Sequence, residues 1–554
     1  MSSKMFSINI KFISIVALQS ILLLPGLSIA QKKIQNTARV KIQVTEEDTR
    51  EITPVMVCIT NVKELQARIP PFGDTAGVPT EIGLFLKGVE FNRDKNWVGP
   101  VRMTNGQGSN ENRSSLYGVL PSIPYWKEPV MYQTSGDFTI ELPAGKWRIS
   151  LEHGNEYIPI TQEFTISKNE RKLTKSFVFK RWINLPRRGW YSGDVHVHHP
   201  TNKPEFKEYL LEFGKAEDLH IINMLEMGHH LGTDFKVDGF GKKFRVCKGS
   251  VCLISGQEDP RTEYGHIIGL NIEHQVRDTS IYNYYDFVFK NLHLQPGALV
   301  GYAHFAWNGF DKGFPWHLTL GEIDFVELLQ FLRLNTLDYY DVLNLGFKIT
   351  AAAGSDFPWG STIGDVRTLV YTGKDFSPDL WFAGLKSGHT FVTNGPALFF
   401  EADGKLPGTE IIRTKGSTTE LKVKAISNPR IGKINRLAIY NNDGLVAEKT
   451  NIEKLDSIQI QLSHIVNKSQ WLAAVVNCDN GAVAHTTPVY MIVDGDPTWD
   501  VKKAPAIINK QMAFIQKIED EEKAKTTIDQ GILDRLEKAR EFYRNMLKEI
   551  NAQR

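Results

Sequence analysis

The segment 193–199, with the sequence GDVHVHH, contains the side chains in this chain that are best suited to chemistry. An extended backbone turns successive side chains to opposite faces, so Asp194, His196 and His198 would share one face, close enough to hold one metal ion. Eleven of the fifteen histidines lie between His196 and His317. The segment therefore predicts a metal site in the middle of the chain. The alternative for an isolated His-x-His pair is a strand whose histidines face water.

Further ligand-type residues follow strand-like apolar runs at 251–255, 298–303 and 349–355, which lead to Glu258, His304 and Asp356. Segments with helical periodicity alternate with these runs, at 205–219, 284–294, 334–345 and 379–386. In barrels of parallel strands wrapped by helices, the site is built at the carboxyl ends of the strands. The pattern predicts that these ligand candidates meet at one end of such a barrel.

The order of these motifs resembles the polymerase-and-histidinol-phosphatase (PHP) superfamily of metallohydrolases, and 193–199 and 256–262 are most similar to its carbaryl-hydrolase-like (CehA/McbA) branch. The resemblance covers residues 186 to 395. It implies a distorted barrel of β/α units with two or three metal ions at the strand ends. Carried over position by position, it implies that one ion is held by His196, His198, Glu258 and Asp356, and a second by His266, His304 and a bridging Glu258.

Two ions are expected rather than three, because this chain departs from the superfamily pattern in two places. The usual Thr-Asp-His after the second strand is replaced by 225–230 (LEMGHH), and Pro358 stands where a histidine is expected. His229 is left as an uncertain extra contact. Imidazole and carboxylate ligands suit Zn²⁺, Mn²⁺ and Fe²⁺ alike, and the sequence does not choose among the three.

Two such ions can bind a shared water and lower its pKa toward 7, which would supply hydroxide without a serine or cysteine nucleophile. Asp194 is a candidate catalytic residue, or it could instead hydrogen-bond a ligand imidazole. Glu327 is a candidate acid near the site, with a structural carboxylate as the alternative. A cleft for a small-molecule substrate, with an aromatic ring as one option, could be lined by Trp307, Trp316, His317, Trp359 and Arg367, although ordinary core packing explains tryptophans more often.

The fold class expected for the 554 residues is multi-domain α+β. A signal peptide at 1–30 precedes a β-sandwich-like domain at 31–185, in which 69–125 could be an insertion. The central, distorted (β/α) PHP-type barrel follows at 186–395, then a second β-rich domain at 396–497 and a charged helical tail at 498–554. In the tail, the apolar stripe 532–550 should dock on the protein's own body, or else form a coiled coil between subunits of a homo-oligomer.

Composition restricts location and partners. The positively charged start, the apolar run 12–27 and the small residues Ser28 and Ala30 are typical of a cleavable signal peptide, so a secreted or periplasmic protein without stable membrane insertion is expected. An uncleaved anchor is the alternative. A net charge of +2 argues against a broad nucleic-acid surface. Cys247 and Cys252 could form a disulfide in an oxidising compartment.

These observations lead to the hypothesis of an exported metal-dependent hydrolase that uses metal-bound hydroxide on an ester, carbamate, amide or phosphoester bond. One alternative is a catalytically inactive protein that binds an extracellular glycan or peptide on the same scaffold. The other is a phosphodiesterase or nuclease.

Overall fold

The computed structural model describes residues 37–62, 97–100, 132–229, 232–261, 264–310, 312–331, 333–357 and 363–553. Within these ranges the protein is a strand-rich α+β structure with several sheets and a helical C-terminus. The predicted signal peptide and most of 69–125 lie outside the described residues. None of the described helices combines the length and the apolar character needed to cross a bilayer.

The N-terminal strands form two sheets that enclose a common apolar core. One sheet has the order β5-β1-β8 and the other the order β3-β4-β2-β6-β7. Alternate residues of β1, such as Val40 and Ile42, face Ile149 and other residues of the second sheet in this core. The strands are β1 (Thr37–Glu46), β2 (Val55–Asn61), β3 (Trp97–Pro100), β4 (Tyr132–Thr134), β5 (Asp137–Pro143), β6 (Gly145–Glu152), β7 (Ile160–Ile166) and β8 (Lys172–Phe179).

A sandwich of antiparallel strands was expected here, and the structure differs in one pair. The first and last strands, β1 and β8, run parallel. Two adjacent parallel strands must be joined by a long connection. Residues 47–171 form this connection between β1 and β8. No hairpin turn marks such a pairing, so local sequence does not reveal it.

The central strands close into a ring. They are β9 (Trp190–Val197), β10 (Ile221–His229), β11 (Gly232–Asp234), β12 (Val246–Lys248), β13 (Val251–Arg261), β14 (Gly265–Leu270), β15 (Leu299–Tyr302), β16 (Phe325–Gln330), β17 (Arg333–Leu334), β18 (Thr350–Ala353), β19 (Arg367–Tyr371) and β20 (Thr390–Thr393). Pairing runs from β9 through β10, β13, β14, β15, β16 and β18. A bridge between Val197 and Phe357 closes the circle.

The helices of this region are α1 (Pro204–Ala216), α2 (Tyr285–His293), α3 (Phe305–Asn308), α4 (Phe314–Leu318), α5 (Thr336–Asn344) and α6 (Pro378–Lys386). Four of them, α1, α2, α5 and α6, lie where periodicity predicted them, and the short helices α3 and α4 were not predicted. The strands are not all parallel, however. β14 runs antiparallel to β13 and to β15, and β19 runs antiparallel to β9. The ring therefore departs from a regular β/α repeat on the side that carries β14.

The second β-rich region continues the sheet of the barrel. β20 pairs with β28, through Phe391 and Thr486, so hydrogen bonds cross the expected boundary at 395/396. A separate sheet has the order β21-β23-β26. The strands are β21 (Ala397–Ala402), β22 (Glu410–Arg413), β23 (Ser417–Ile426), β24 (Ile434–Asn441), β25 (Gly444–Thr450), β26 (Ser457–Val466), β27 (Gln470–Cys478), β28 (Val483–Thr486) and β29 (Val489–Val493).

Two helices, α7 (Ala504–Lys523) and α8 (Gln530–Ala552), complete the chain. The apolar stripe of α8 is buried in the same core as Tyr285 and Trp316 of the barrel region. The Tyr543 hydroxyl donates to the carbonyl of Pro315 over 2.8 Å. The stripe thus docks on the protein's own body, and the face considered for a coiled coil is already covered.

Cys247 and Cys252 form a disulfide between the paired strands β12 and β13. The Cys478 thiol is free and buried, and burial raises its pKa to about 11. The expected clip is therefore present, at the start of the strand that carries Glu258.

Candidate metal centre

Six side chains that could bind metal converge at one end of the barrel, in two groups of three. The first group is His196, His198 and Asp356, and the second is Glu258, His266 and His304. Within each group the candidate ligand atoms lie within 4.8 Å of one another. These are the six residues that the sequence motifs single out.

Glu258 lies between the two groups and presents one oxygen to each. Its Oε2 is 2.9 Å from His198 Nε2 and 3.5 Å from His196 Nε2. Its Oε1 is 2.9 Å from His266 Nδ1 and 3.6 Å from His304 Nε2. A carboxylate in this position can serve two ions at once, so the geometry is compatible with a bridging role.

The outer nitrogens of the first two histidines are fixed by acceptors. His198 Nδ1 lies 3.0 Å from the carbonyl oxygen of Leu225, and His196 Nδ1 lies 2.7 Å from Glu327 Oε1. Because a carbonyl oxygen can only accept, Nδ1 of His198 carries the proton, and the carboxylate favours the same tautomer in His196.

The two Nε2 atoms then face each other at 3.0 Å. If both rings are neutral, both Nε2 atoms are unprotonated, and their lone pairs repel at this distance unless a proton or a metal ion lies between or beside them. Orientation of a ligand imidazole by a hydrogen bond from its other nitrogen is the usual arrangement in metal sites. The donor set and its tautomers therefore fit a divalent metal ion.

The electrostatic field of the cluster also favours cations. Burial disfavours the charged form of His196, but the carboxylates of Glu327, Asp356 and Glu258 outweigh burial and raise its pKa well above its ordinary value. His304 is subject to the same opposing effects, and its pKa is raised to about 9. Three buried carboxylates that stabilise protons so strongly would stabilise metal ions for the same reason.

The ring of strands explains how distant residues meet. His196 and His198 lie at the carboxyl end of β9, and Glu258 lies beside Met227 near the ends of β13 and β10. His266 is different, since it lies at the amino end of β14. β14 runs antiparallel to its neighbours, so its first residues lie at the same edge of the sheet as the last residues of β13 and β15. His266 therefore reaches the site from the beginning of its strand.

Two of the candidate ligands lie in strained backbone conformations. His304 has φ 60° and Asp356 has φ 51°, both in the left-handed region that residues other than glycine rarely adopt. Strain of this kind persists only where the surroundings enforce it, and it clusters at functional sites. Gly354 is also required, because a Cβ there would lie 2.5 Å from Glu327 Oε1 and 2.5 Å from His196 Cβ.

Glu327 is fully buried, and both of its oxygens are engaged. Besides His196, it accepts from the backbone N–H of His304 over 2.7 Å and from Gln330 Nε2 over 2.9 Å. These contacts favour the structural alternative over the role of a proton donor. A positioning role for Glu327 follows, acting on one histidine of each group.

Sequence reasoning missed Gln330, whose Oε1 lies 2.9 Å from His304 Nδ1. Residues 327 and 330 would face opposite sides of a regular strand. A bulge in β16 between Glu327 and Leu329 brings the two side chains together. The polar Gln330 at the end of the apolar run 325–330 was the one sequence signal of a role at the site. The bulge that turns its side chain toward His304 was not visible in the sequence.

Asp194 is buried and differs from the predicted partner of a ligand imidazole, while its catalytic role stays a prediction. It belongs to neither group of candidate ligands, and its carboxylate accepts from backbone amides instead of from an imidazole. Its Oδ1 accepts from the N–H groups of His196 and Ser355, each over 3.0 Å, and its Oδ2 accepts from Gly364 over 2.8 Å. Burial raises its pKa to about 6. Asp194 ties β9 to the segment that carries Asp356.

Three of the residues suggested for a substrate cleft are core residues. Trp316 and His317 are buried and pack on Tyr285, and Arg367 is buried and binds Glu217. Core packing, the alternative to a substrate cleft, therefore explains these three residues, because their side chains point into the protein. Trp307 is exposed.

Four residues named in the sequence analysis cannot be placed. The side chain of His229, and His230, Pro358 and Trp359 as a whole, lie outside the described residues. The expectation of two ions therefore stays a prediction.

Comparison with known proteins adds little to this description. No family description and no curated protein matches the chain. Among solved structures, the sulfur carrier protein SoxY of Chlorobium limicola f thiosulfatophilum is 16% identical, with a TM-score of 0.13 over 17% of this chain and 73% of that one. The fibronectin(III)-like modules of Clostridium thermocellum CbhA are 14% identical, with a TM-score of 0.13 over 18% of this chain and 97% of theirs. Likenesses this weak carry no argument about function.

Proposed function

We propose that this chain is a metal-dependent hydrolase that cleaves an ester, carbamate, amide or phosphoester bond of a small molecule. The observation that carries the proposal is the pair of ligand groups joined by Glu258, with one carboxylate oxygen toward each. Zn²⁺, Mn²⁺ and Fe²⁺ all suit such a donor set.

In this proposal His196, His198 and Asp356 would hold one divalent ion, and His266 and His304 a second, with Glu258 shared. A pair of bound divalent ions lowers the pKa of water and polarises a carbonyl or phosphoryl oxygen. The protein's own contribution is positional. Glu327 and the Leu225 carbonyl hold the first two imidazoles with Nε2 toward the centre, and Gln330 holds His304.

Membership of the PHP superfamily, in its carbaryl-hydrolase-like branch, is part of the proposal and rests on the order of the motifs. The closed ring of strands supports it, although β14 and β19 are antiparallel to their neighbours. Export is also proposed, and it is supported by the disulfide between Cys247 and Cys252, since disulfides persist in oxidising compartments. N-terminal sequencing of the mature protein should then begin near Gln31.

The substitution Glu258→Gln tests the proposal, because a neutral amide is a poor bridging ligand. We expect elemental analysis to show less than half of the wild-type metal content. Hydrolysis of 4-nitrophenyl acetate, a 4-nitrophenyl carbamate and bis(4-nitrophenyl) phosphate should fall to background. Glu273→Gln is the matched control, because Glu273 is exposed in the same region. Full metal content and activity in the Glu258 variant would contradict the assignment. A wild-type protein that binds metal and cleaves none of these substrates would contradict the hydrolase proposal.

A further inference from the structure

Arg333 and Trp307 form a stacked pair on the surface. The guanidinium carbon of Arg333 lies 4.9 Å from the centre of the Trp307 ring. Both side chains are exposed, Trp307 to 47%. An aromatic face holds a guanidinium in a defined plane while leaving its N–H groups available.

The pair lies directly beside the candidate metal centre. Arg333 is the cross-strand partner of Gln330 in the pairing of β16 with β17, and directly opposed residues place their side chains on the same face of the sheet. The Gln330 side chain on that face contacts His304. Trp307 follows His304 by three residues, and its N–H donates to the His304 carbonyl over 2.9 Å.

Two further observations set this pair apart. Among the residues that the structure describes, no carboxylate forms an ion pair with Arg333. Phe331, two residues earlier, has φ 47°, a left-handed conformation that is costly for an aromatic residue. Its ring centre is 6.0 Å from that of Trp307. The hairpin thus holds an arginine that pairs with no described carboxylate, on the rim of a site rich in buried carboxylates.

We propose that Arg333, oriented by Trp307, binds a negatively charged group of the substrate next to the bond that is cleaved. The inference rests on the proposed hydrolase function and narrows its substrates to anionic ones that carry a carboxylate, sulfonate or phosphate group. A guanidinium presents two parallel N–H groups to such an oxyanion. In this role Arg333 is a specificity-determining residue, and Trp307 positions it.

A binding experiment tests the proposal without requiring turnover. The probes are benzenesulfonate and its neutral analogue methyl phenyl sulfone, titrated into the metal-loaded protein and followed by ligand NMR. We expect the wild type to prefer the sulfonate. Arg333→Ala should weaken sulfonate binding about tenfold and leave sulfone binding unchanged, since charge-assisted hydrogen bonds are roughly twice as strong as neutral ones. Trp307→Ala should weaken sulfonate binding by a smaller factor.

The matched control is Arg188→Ala, because Arg188 also stacks on an aromatic ring, at 5.5 Å from the centre of Phe399. It should leave the binding of both probes unchanged. Equal sulfonate binding by the wild type and the Arg333→Ala variant would overturn the proposal. So would a wild type that does not distinguish the two probes.

A kinetic comparison separates this inference from the proposed function. The substrates are 4-nitrophenyl acetate and mono-4-nitrophenyl succinate, which differ in one carboxylate. Arg333→Ala should raise KM for the succinate about tenfold with little change in kcat, and should leave both constants for the acetate unchanged. Hydrolysis of both esters with no effect of Arg333→Ala overturns the inference alone. No hydrolysis of either ester, together with Arg333-dependent sulfonate binding, overturns the hydrolase proposal and supports the anion site.

Discussion

The substitution Glu327→Gln distinguishes a positioning role for this buried carboxylate from a role in proton transfer. Glu327 accepts from three donors, His196 Nδ1, the His304 N–H and Gln330 Nε2. A glutamine offers one accepting oxygen in place of two. If its amide nitrogen replaces Oε2, two buried donors lose their acceptor. If the nitrogen replaces Oε1, His196 must protonate Nε2 instead, which blocks its candidate ligand atom.

Each buried donor left without a partner costs about 1–3 kcal/mol, so the first orientation destabilises the metal-free protein by roughly 2–6 kcal/mol. Loss of such an orienting partner typically weakens metal binding about 10–100-fold. Competition with a chromogenic chelator measures the metal affinity, and urea unfolding of the chelator-treated protein measures the stability. Glu401→Gln is the control, in a partly exposed strand position away from the site.

A proton donor would behave differently. Its glutamine variant would keep wild-type metal affinity and unfolding free energy and would lose kcat. That result would refute the positioning role inferred from the hydrogen bonds of Glu327. It would support the catalytic role that the sequence suggested.

Three other predictions concern metal number, pH and the tail. Metal saturation should give two ions per chain, and a third peak beside His229 or His230 in an anomalous-scattering map would show that the centre is trinuclear. The hydrogen bond with His153 lowers the pKa of Glu46 from 4.5 to about 2, so the charged Glu46 stabilises the folded protein above pH 4.5, and this stability is lost as the pH falls through 2. The difference in unfolding free energy between the wild type and Glu46→Gln should therefore be present at pH 6 and shrink between pH 4.5 and 2, and a constant difference would contradict it. Leu536→Ala should cost about 2–5 kcal/mol of stability, because Leu536 is fully buried under the barrel, and an unchanged urea midpoint would show that the tail is not docked in solution.

The candidate ligands could be predicted because they occur in short motifs, and all of these motifs except that of His266 lie at the end of an apolar run. His196 and His198 share a face by simple alternation, Glu258 lies near the end of β13, and His304 and Asp356 follow β15 and β18. The positions of the longer helices were also predictable, since each of them buries one face and shows the corresponding period. For example, the expected 379–386 is observed as Pro378–Lys386.

The supporting contacts could not be predicted, because they join residues far apart in the chain. Gln330 reaches His304 only because of a bulge in β16, and Asp194 binds amides that include one from Gly364. Burial of Trp316 depends on helices that begin almost 190 residues later. Periodicity within one segment contains no information about such partners.

The hydrogen bond between Tyr264 and Glu522 connects the tail to the loop that leads to His266, over 2.6 Å. Glu522 is buried in α7, although it is charged. The tail is therefore part of the support of the candidate centre. Residues of α7 and α8 share one apolar core with Ile267 of β14, which follows His266 directly. All six candidate ligands precede these helices in the chain, so the apolar wall behind β14 is complete only when the last helices have formed.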